Sequence, residues 1–158
     1  MRQTHFILDS PLGILAIGTE DGALVTIEYK QEKKSVSASQ DNLFEQLRRQ
    51  LAFYFKNPKH QFDVRIKLHG TAFQQRVWRE MQKIPVGETR TYGEVAKKLN
   101  SSPRAVGNAC RANPLPIVIP CHRIVSKVGL GGYDGETAGR NIKIKTWLLQ
   151  HEGVSFDA

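Results

Sequence analysis

Cys121 and His122 stand side by side in the stretch Ile119-Pro120-Cys121-His122-Arg123-Ile124-Val125. A thiol with a pKa of about 8.5 is only a few per cent thiolate at neutral pH. Each unit of depression needs about 1.4 kcal/mol of preferential thiolate stabilisation. One imidazole, or one charged hydrogen bond in a dry site, supplies that. The preceding proline stiffens the approach to the thiol, and the apolar flanks keep water away. These residues suit a nucleophilic cysteine. Cys110, the other cysteine, reads as a small buried hydrophobe. Two cysteines do not make a disulfide framework, and both are expected as thiols in a reducing compartment. Metal binding fits poorly. Adjacent Cys and His do not chelate one ion, and His5, His60, His69 and His151 follow no ligand spacing. No metal and no cofactor is expected. A cysteine hydrolase remains open, although no third partner or oxyanion loop stands out.

The residues ahead of Cys121 read as helices. Thr71 with Gln74, and Thr91 with Glu94, have capping-box spacing. Phe73, Val77, Met81 and Ile84 make the buried stripe of the first helix, which Pro85 stops. Val95, Ala96 and Leu99 make that of the second. Ser102-Pro103 gives an N-cap and a proline at the first helical position of a third, which runs to about Asn113. A supporting helix followed by two short helices and a tight turn is a helix-turn-helix pattern. On the third helix Val106, Ala109 and Cys110 share the packing side. Arg104, Gly107, Asn108 and Arg111 share the other, small in the middle and cationic at both ends. That face suits phosphates and bases; its bland alternative is a solvated surface. The proline-rich segment 114–120 is extended and delivers Cys121. A last helix, about 141–151, buries Ile144, Trp147, Leu148 and His151, with Glu152-Gly153 closing it; Trp78 and Trp147 read as core.

The first part of the chain carries no evident chemistry. Residues 6–29 read as an antiparallel meander whose second turn is Asp21-Gly22. Residues 42–55 read as a helix with Leu43, Leu47, Leu51 and Phe55 on one face. Residues 62–68 alternate as a half-buried strand. Charge divides the same way. Residues 1–63 balance eight basic against eight acidic side chains, so the net +8 lies in the remainder. That asymmetry suits a polyanionic partner or a solvated basic surface, and charge alone does not separate the two. No apolar run is long enough to span a membrane, and the N-terminus lacks a signal-peptide pattern, so a cytoplasmic protein is expected.

"IPCHRIV", preceded by "RAVGNACRANPLPIV" and followed by "GGY" and "WLLQHEG", resembles the O6-alkylguanine-DNA alkyltransferases. The resemblance covers residues 70–153 strongly and the N-terminal part, with "SPLG" and the meander, more weakly. It implies an α+β protein: a small ribonuclease-H-like domain over residues 1–68 and a winged helix-turn-helix alkyltransferase domain over 69–158. It implies a monomer that binds double-stranded DNA from the minor groove and flips out the damaged base. An alkyl group then passes irreversibly from O6-alkylguanine, and from O4-alkylthymine, to Cys121. His122 would activate the thiol through water, Glu152 would orient His122, and Asn113 would support the cysteine loop. Tyr92 would help rotate the nucleotide and protonate the departing guanine. Tyr133, Val125 and Asp134 would line the base pocket. Arg104 would fill the gap left by the base, with Gly107, Asn108, Arg111, Gly93 and Lys127 at the DNA.

Three departures stand beside the match. The loop 135–143 looks long, Asp134 replaces a small or hydroxyl residue near the substrate oxygen, and the cysteines of the zinc site found in some relatives are absent. Arg123 has no assigned chemistry and suits an ion pair or backbone contacts. A non-catalytic helix-turn-helix regulator and the cysteine hydrolase are the competing readings.

Overall fold

In the computed structural model, residues 3–30, 42–127, 129, 131 and 140–154 are described. The chain divides into two compact units, Met1–His69 and Gly70–Ala158. Tyr133, Asp134 and the 135–139 part of the long loop lie outside the described residues.

In the first unit, strands β1 (Gln3–Ser10), β2 (Gly13–Glu20) and β3 (Ala23–Lys30) form an antiparallel sheet in that order. Asp21 and Gly22 both take positive φ, 49° and 78°, the mirror-image turn that matches strand twist. Helix α1 (Asn42–Lys56) follows. Phe6 of β1 stacks on Phe44 with ring centroids 4.5 Å apart. Tyr54, rather than Phe55, completes the buried stripe of Leu43, Leu47 and Leu51, because it falls at i+3 from Leu51 on the same face. The alternating segment 62–68 is extended but is not a full strand. It touches β3 at one point, where the Leu24 N–H donates to Arg65 O (2.8 Å) and the Lys67 N–H donates to Leu24 O (3.0 Å). The expected alternation holds: Phe62, Val64, Ile66 and Leu68 are half-buried, while Asp63, Arg65 and Lys67 are exposed.

The second unit is mainly helical. Helix α2 (Ala72–Gln82) starts at Thr71, with both halves of the capping box formed by Gln74. Its buried residues are Val77, Trp78 and Met81. Phe73 is only half-buried, and the core position goes to Trp78, whose Nε1 donates to Ala109 O at 2.9 Å. Strand β4 (Arg90–Thr91) runs straight into α3 (Tyr92–Lys98), again through a complete capping box, Thr91 with Glu94. Helix α4 (Pro103–Arg111) begins at Ser102 with Pro103 in its first turn. Residues 99–102 join the two helices, and Asn100 makes the reversal with φ of 55°, a conformation Asn tolerates better than most residues. A 3₁₀ turn, Cys121–Arg123, leads into β5 (Ile124–Val125), which pairs parallel with β4. Helix α5 (Arg140–His151) ends in a Schellman motif: Gly153 (φ 86°) donates to Gln150 O, and Val154 donates to Leu149 O.

Two readings of the last helix change. Residues 140–143 belong to α5, so the loop before it is shorter than 135–143. Trp147 is half-buried and stacks on His151 (4.8 Å), whereas Lys145 and Leu149 enter the core beside Ile144 and Leu148. Thr91→Ala should cost about 1 kcal/mol, because it removes the cap of a helix whose first residue is Tyr92; the urea midpoint of the purified protein measures it.

Candidate active site

Cys121 sits at the end of a loop whose backbone is held from both sides. The Asn113 side chain accepts from Leu115 N–H at 2.9 Å and donates through Nδ2 to Ile119 O at 2.9 Å. The Ile119 N–H closes back on Leu115 O at 2.8 Å, so the proline-rich segment folds into turns instead of running extended as expected. Pro120 has φ −80° and ψ 67°, and the Cys121 N–H donates to Ile119 O across it at 2.8 Å. That is an inverse γ-turn, and the proline ring favours its φ. Inside this loop Ile117 is buried with φ 76°. A β-branched residue in that region costs about 1–3 kcal/mol and persists only where its surroundings dictate it. The Asn113 clamp is that constraint.

Behind the thiol lies a buried ionic node. His122 is fully buried, and its Nε2 stands 2.8 Å from Glu152 Oε2. Arg123 grips the same carboxylate with two parallel bonds, Nε to Oε1 at 2.7 Å and Nη2 to Oε2 at 2.9 Å. Its third donor, Nη1, reaches Ile84 O just past the end of α2, at 2.7 Å. Arg123 thus makes both contacts open to it, an ion pair and a backbone tether. Burial alone would raise the Glu152 pKa, but the hydrogen bonds from His122 and Arg123 outweigh it and hold the carboxyl at about 2. Burial moves His122 the other way, below its ordinary value; the Glu152 carboxylate opposes this, while Arg123 and Lys145 add to it.

The 2.8 Å contact with an ionised carboxylate makes Nε2 the donor. With Glu152 ionised and His122 neutral, the ring proton sits on Nε2 and is donated to the carboxylate. The lone pair is then on Nδ1, a buried atom with no hydrogen-bond partner among the described residues. A neutral imidazole with a buried basic nitrogen, adjacent in the chain to a buried thiol, is equipped to take a proton from that thiol.

The β4–β5 ladder fixes Tyr92 relative to the cysteine turn. Arg90 pairs with Ile124 and Thr91 with Val125, so α3 starts beside the residues that follow Cys121–Arg123. The Tyr92 ring lies against Gly107 of α4 and against Gly131. A Cβ at Gly107 would meet the ring at 4.0 Å, and one at Gly131 would meet it at 2.9 Å and the hydroxyl at 3.1 Å. At Gly131 the tyrosine and the positive φ of 74° both exclude a side chain, whereas at Gly107 a Cβ would make only ordinary contact with the ring. The outer face of α4 is as its wheel suggests: Arg104, Asn108 and Arg111 are exposed, and Gly107 is half-buried. Gly93 and Lys127 are exposed as well, and Val125 is half-buried in β5.

One group was not anticipated. Lys145 of α5 is fully buried, and its Nζ donates to Ile124 O at 2.6 Å. Burial lowers its pKa to about 8 against the opposing pull of Cys121 and then Cys110. The Cys110 thiol is raised, first by burial and then by Cys121, which makes it inert at neutral pH. A charge inside the apolar stripe 144–148 was the available signal for Lys145, but periodicity treats such a residue as an edge position.

Fold and site together define a class: a two-unit α+β chain with a buried thiol, a buried imidazole next to it in sequence and an exposed cationic helix in one unit. The sequence pattern described as "6-O-methylguanine DNA methyltransferase, DNA binding domain" matches residues 72–154. The methylated-DNA–protein-cysteine methyltransferase of Methanosarcina acetivorans is 39% identical over 158 residues, covering 94% of this chain and 97% of that one. The protein of the same name from Archaeoglobus fulgidus is 43% identical over 109 residues, 67% of this chain and 73% of its own. The crystal structure of the Mycobacterium tuberculosis O6-methylguanine methyltransferase matches with a TM-score of 0.83 at 34% identity, covering 96% and 93% of the two chains. A structure of the Mycobacterium tuberculosis protein in complex with DNA matches with a TM-score of 0.78 at 35% identity, covering 94% and 92%. The chain belongs to the 6-O-methylguanine DNA methyltransferase family.

The node has a pH signature. Unfolded His122 takes up a proton near its ordinary 6.5, which the folded ring refuses. Unfolded Glu152 protonates near 4.5, whereas the folded carboxylate holds out to about 2. In both cases the unfolded chain binds more protons, so stability is fully present above pH 6.5 and falls as pH drops through 6.5 and again through 4.5 towards 2. Equilibrium unfolding between pH 8 and 3 checks this, and Glu152→Gln should flatten the lower step. Arg123→Met should cost about 3–5 kcal/mol at pH 7 by stranding a buried carboxylate, read as a lower denaturant midpoint.

Proposed function

We propose that the protein repairs DNA by transferring the alkyl group of O6-alkylguanine irreversibly to Cys121. The observation that carries the assignment to Cys121 is the neutral His122 beside it, oriented by an ionised Glu152. Family membership supplies the reaction.

The chemistry follows from the residues. The Cys121 proton passes through a water to His122 Nδ1, and the Nε2–H bond to Glu152 stabilises the imidazolium that forms. The thiolate displaces the carbon on guanine O6. The S–C bond forms, and the C–O bond breaks with its electron pair staying on the guanine. Tyr92 donates a proton towards the departing base. A thioether does not hydrolyse, so each molecule reacts once. Val125 lines the base pocket; Tyr133 and Asp134, which the family resemblance also implies there, lie outside the described residues.

DNA approaches through its minor groove onto α4, in a winged helix-turn-helix arrangement of α3 and α4. Arg104 replaces the extruded base in the stack, and Gly107, Asn108, Arg111, Gly93 and Lys127 contact the DNA. Extrusion costs a few kcal/mol, less for a weakly paired damaged base. The N-terminal unit, of ribonuclease-H-like topology, completes a protein that acts as a cytoplasmic monomer on O6-alkylguanine and also on O4-alkylthymine.

Incubation with duplex DNA holding one O6-methylguanine should add one methyl group to the intact mass, mapped to Cys121. No gain, or a gain elsewhere, removes the proposal. A parallel duplex with O4-methylthymine tests the second substrate. His122→Ala should slow transfer by about 10²–10⁴-fold, the usual worth of a general base. Arg104→Ala should slow transfer from duplex DNA far more than from a free alkylguanine base; equal slowing of both would count against its role in the stack.

A further inference from the structure

Lys145 is a buried cation that the mechanism above leaves unused. It lies on α5 with no exposed surface, and its Nζ donates to Ile124 O, the first residue after the Cys121–Arg123 turn. The charged and titratable groups around this place come from three elements. His122 and Arg123 belong to the turn, Glu152 closes α5, and Cys110 comes from α4. The Glu152 carboxylate is taken up by two bonds from Arg123 and one from His122. Of the two thiols, Cys121 before Cys110 would favour the charged form of Lys145 when ionised, and Cys110 stays protonated at neutral pH.

We propose that Lys145 is the counter-cation of the Cys121 thiolate, and that alkylation of Cys121 drives the Lys145 proton out of the protein core. The proposal rests on Cys121 being the alkyl acceptor. Once His122 has relayed the Cys121 proton through water to solvent, the buried charges cancel: thiolate against Lys145, and Glu152 against Arg123, with His122 neutral again. In the transfer the thiolate pair becomes the S–C bond, and the C–O pair leaves with the guanine, which takes up one proton. The product sulfur is a neutral thioether. A Lys145 ammonium beside it has lost the anion that favoured it while keeping the burial that opposes it. It gives up one proton, which balances the one the guanine gains. Lys145 is thus a positioning residue for charge: it favours the reactive thiolate, and it loses its proton once the thiolate is consumed.

Two measurements test this without DNA. Cys110→Ala protein labelled with ¹³C-lysine is methylated at Cys121 with limiting iodomethane, and the site is verified by mass spectrometry. The Lys145 ¹³Cε resonance is titrated before and after. Its midpoint should fall by about one unit or more on methylation; an unchanged midpoint overturns the proposal. In the same background Lys145→Met replaces the cation with an apolar side chain of similar length, a change that buried charges often tolerate. The rate of Cys121 alkylation by iodoacetamide at pH 7 should drop about tenfold, with the pH profile displaced upward. A folded variant with an unmoved profile also overturns it. If unmodified protein accepts no methyl from DNA while both results hold, the repair assignment fails and the Lys145–Cys121 coupling stands.

Discussion

The Arg123–Glu152 fork is the interaction on which the second unit depends. Both side chains are buried, and their two parallel hydrogen bonds join the cysteine turn to the end of α5. The remaining guanidinium donor ties the turn to the end of α2 through Ile84 O. Three elements distant in sequence therefore meet at one planar ion pair. A buried pair of this kind offers little net stability over an apolar substitute. Its value here is geometric, because only a fork-shaped cation can hold a carboxylate at a fixed angle while tethering a third element. Glu152 is presented to His122 in one orientation as a result.

From that node the site is assembled by local devices. The Schellman motif at Gly153 turns the chain so that Glu152 is the last residue before the reversal. The Asn113 clamp and the Pro120 turn set the direction of the thiol. The short β4–β5 ladder brings the start of α3, and with it Tyr92, beside the same turn. Capping matters more than usual in these helices. Helices α3 and α4 are only seven and nine residues long, too short to be stable in isolation. Their side-chain caps and the packing of Val95, Ala96, Val106 and Ala109 hold them.

Electrostatically the interior is a compact set of opposed charges. Glu152 stays ionised because two partners outweigh the cost of burial, and His122 stays neutral because burial outweighs one carboxylate. The same residue pair thereby yields an acceptor and a donor at neutral pH. Lys145 extends the set to the thiol itself. The outer surface of α4 exposes Arg104 and Arg111, the reverse arrangement, in which charge is left in solvent.

Much of this was legible from the chain alone, for a physical reason. Caps such as Thr71, Thr91 and Ser102 act within one turn, hairpin turns such as Asp21-Gly22 depend on local φ, and the face of α4 follows from helical periodicity. The adjacency of Cys121 and His122 is covalent. All of these are short-range, so the sequence by itself determined them. The role of Arg123, the burial of Lys145, the half-exposure of Phe73 and the replacement of Phe55 and Trp147 in the core by Tyr54 and Leu149 were not legible, whereas the core position of Trp78 was. Nor was the reduction of the 62–68 strand to a single point of contact with β3. Each depends on which partner lies across a gap of many residues: Ile84 and Glu152 for Arg123, Ile124 and two thiols for Lys145, Leu24 for Ile66. Only the tertiary structure decided those, because the free energy of a buried charge or a packed ring depends on its surroundings rather than on its neighbours in sequence.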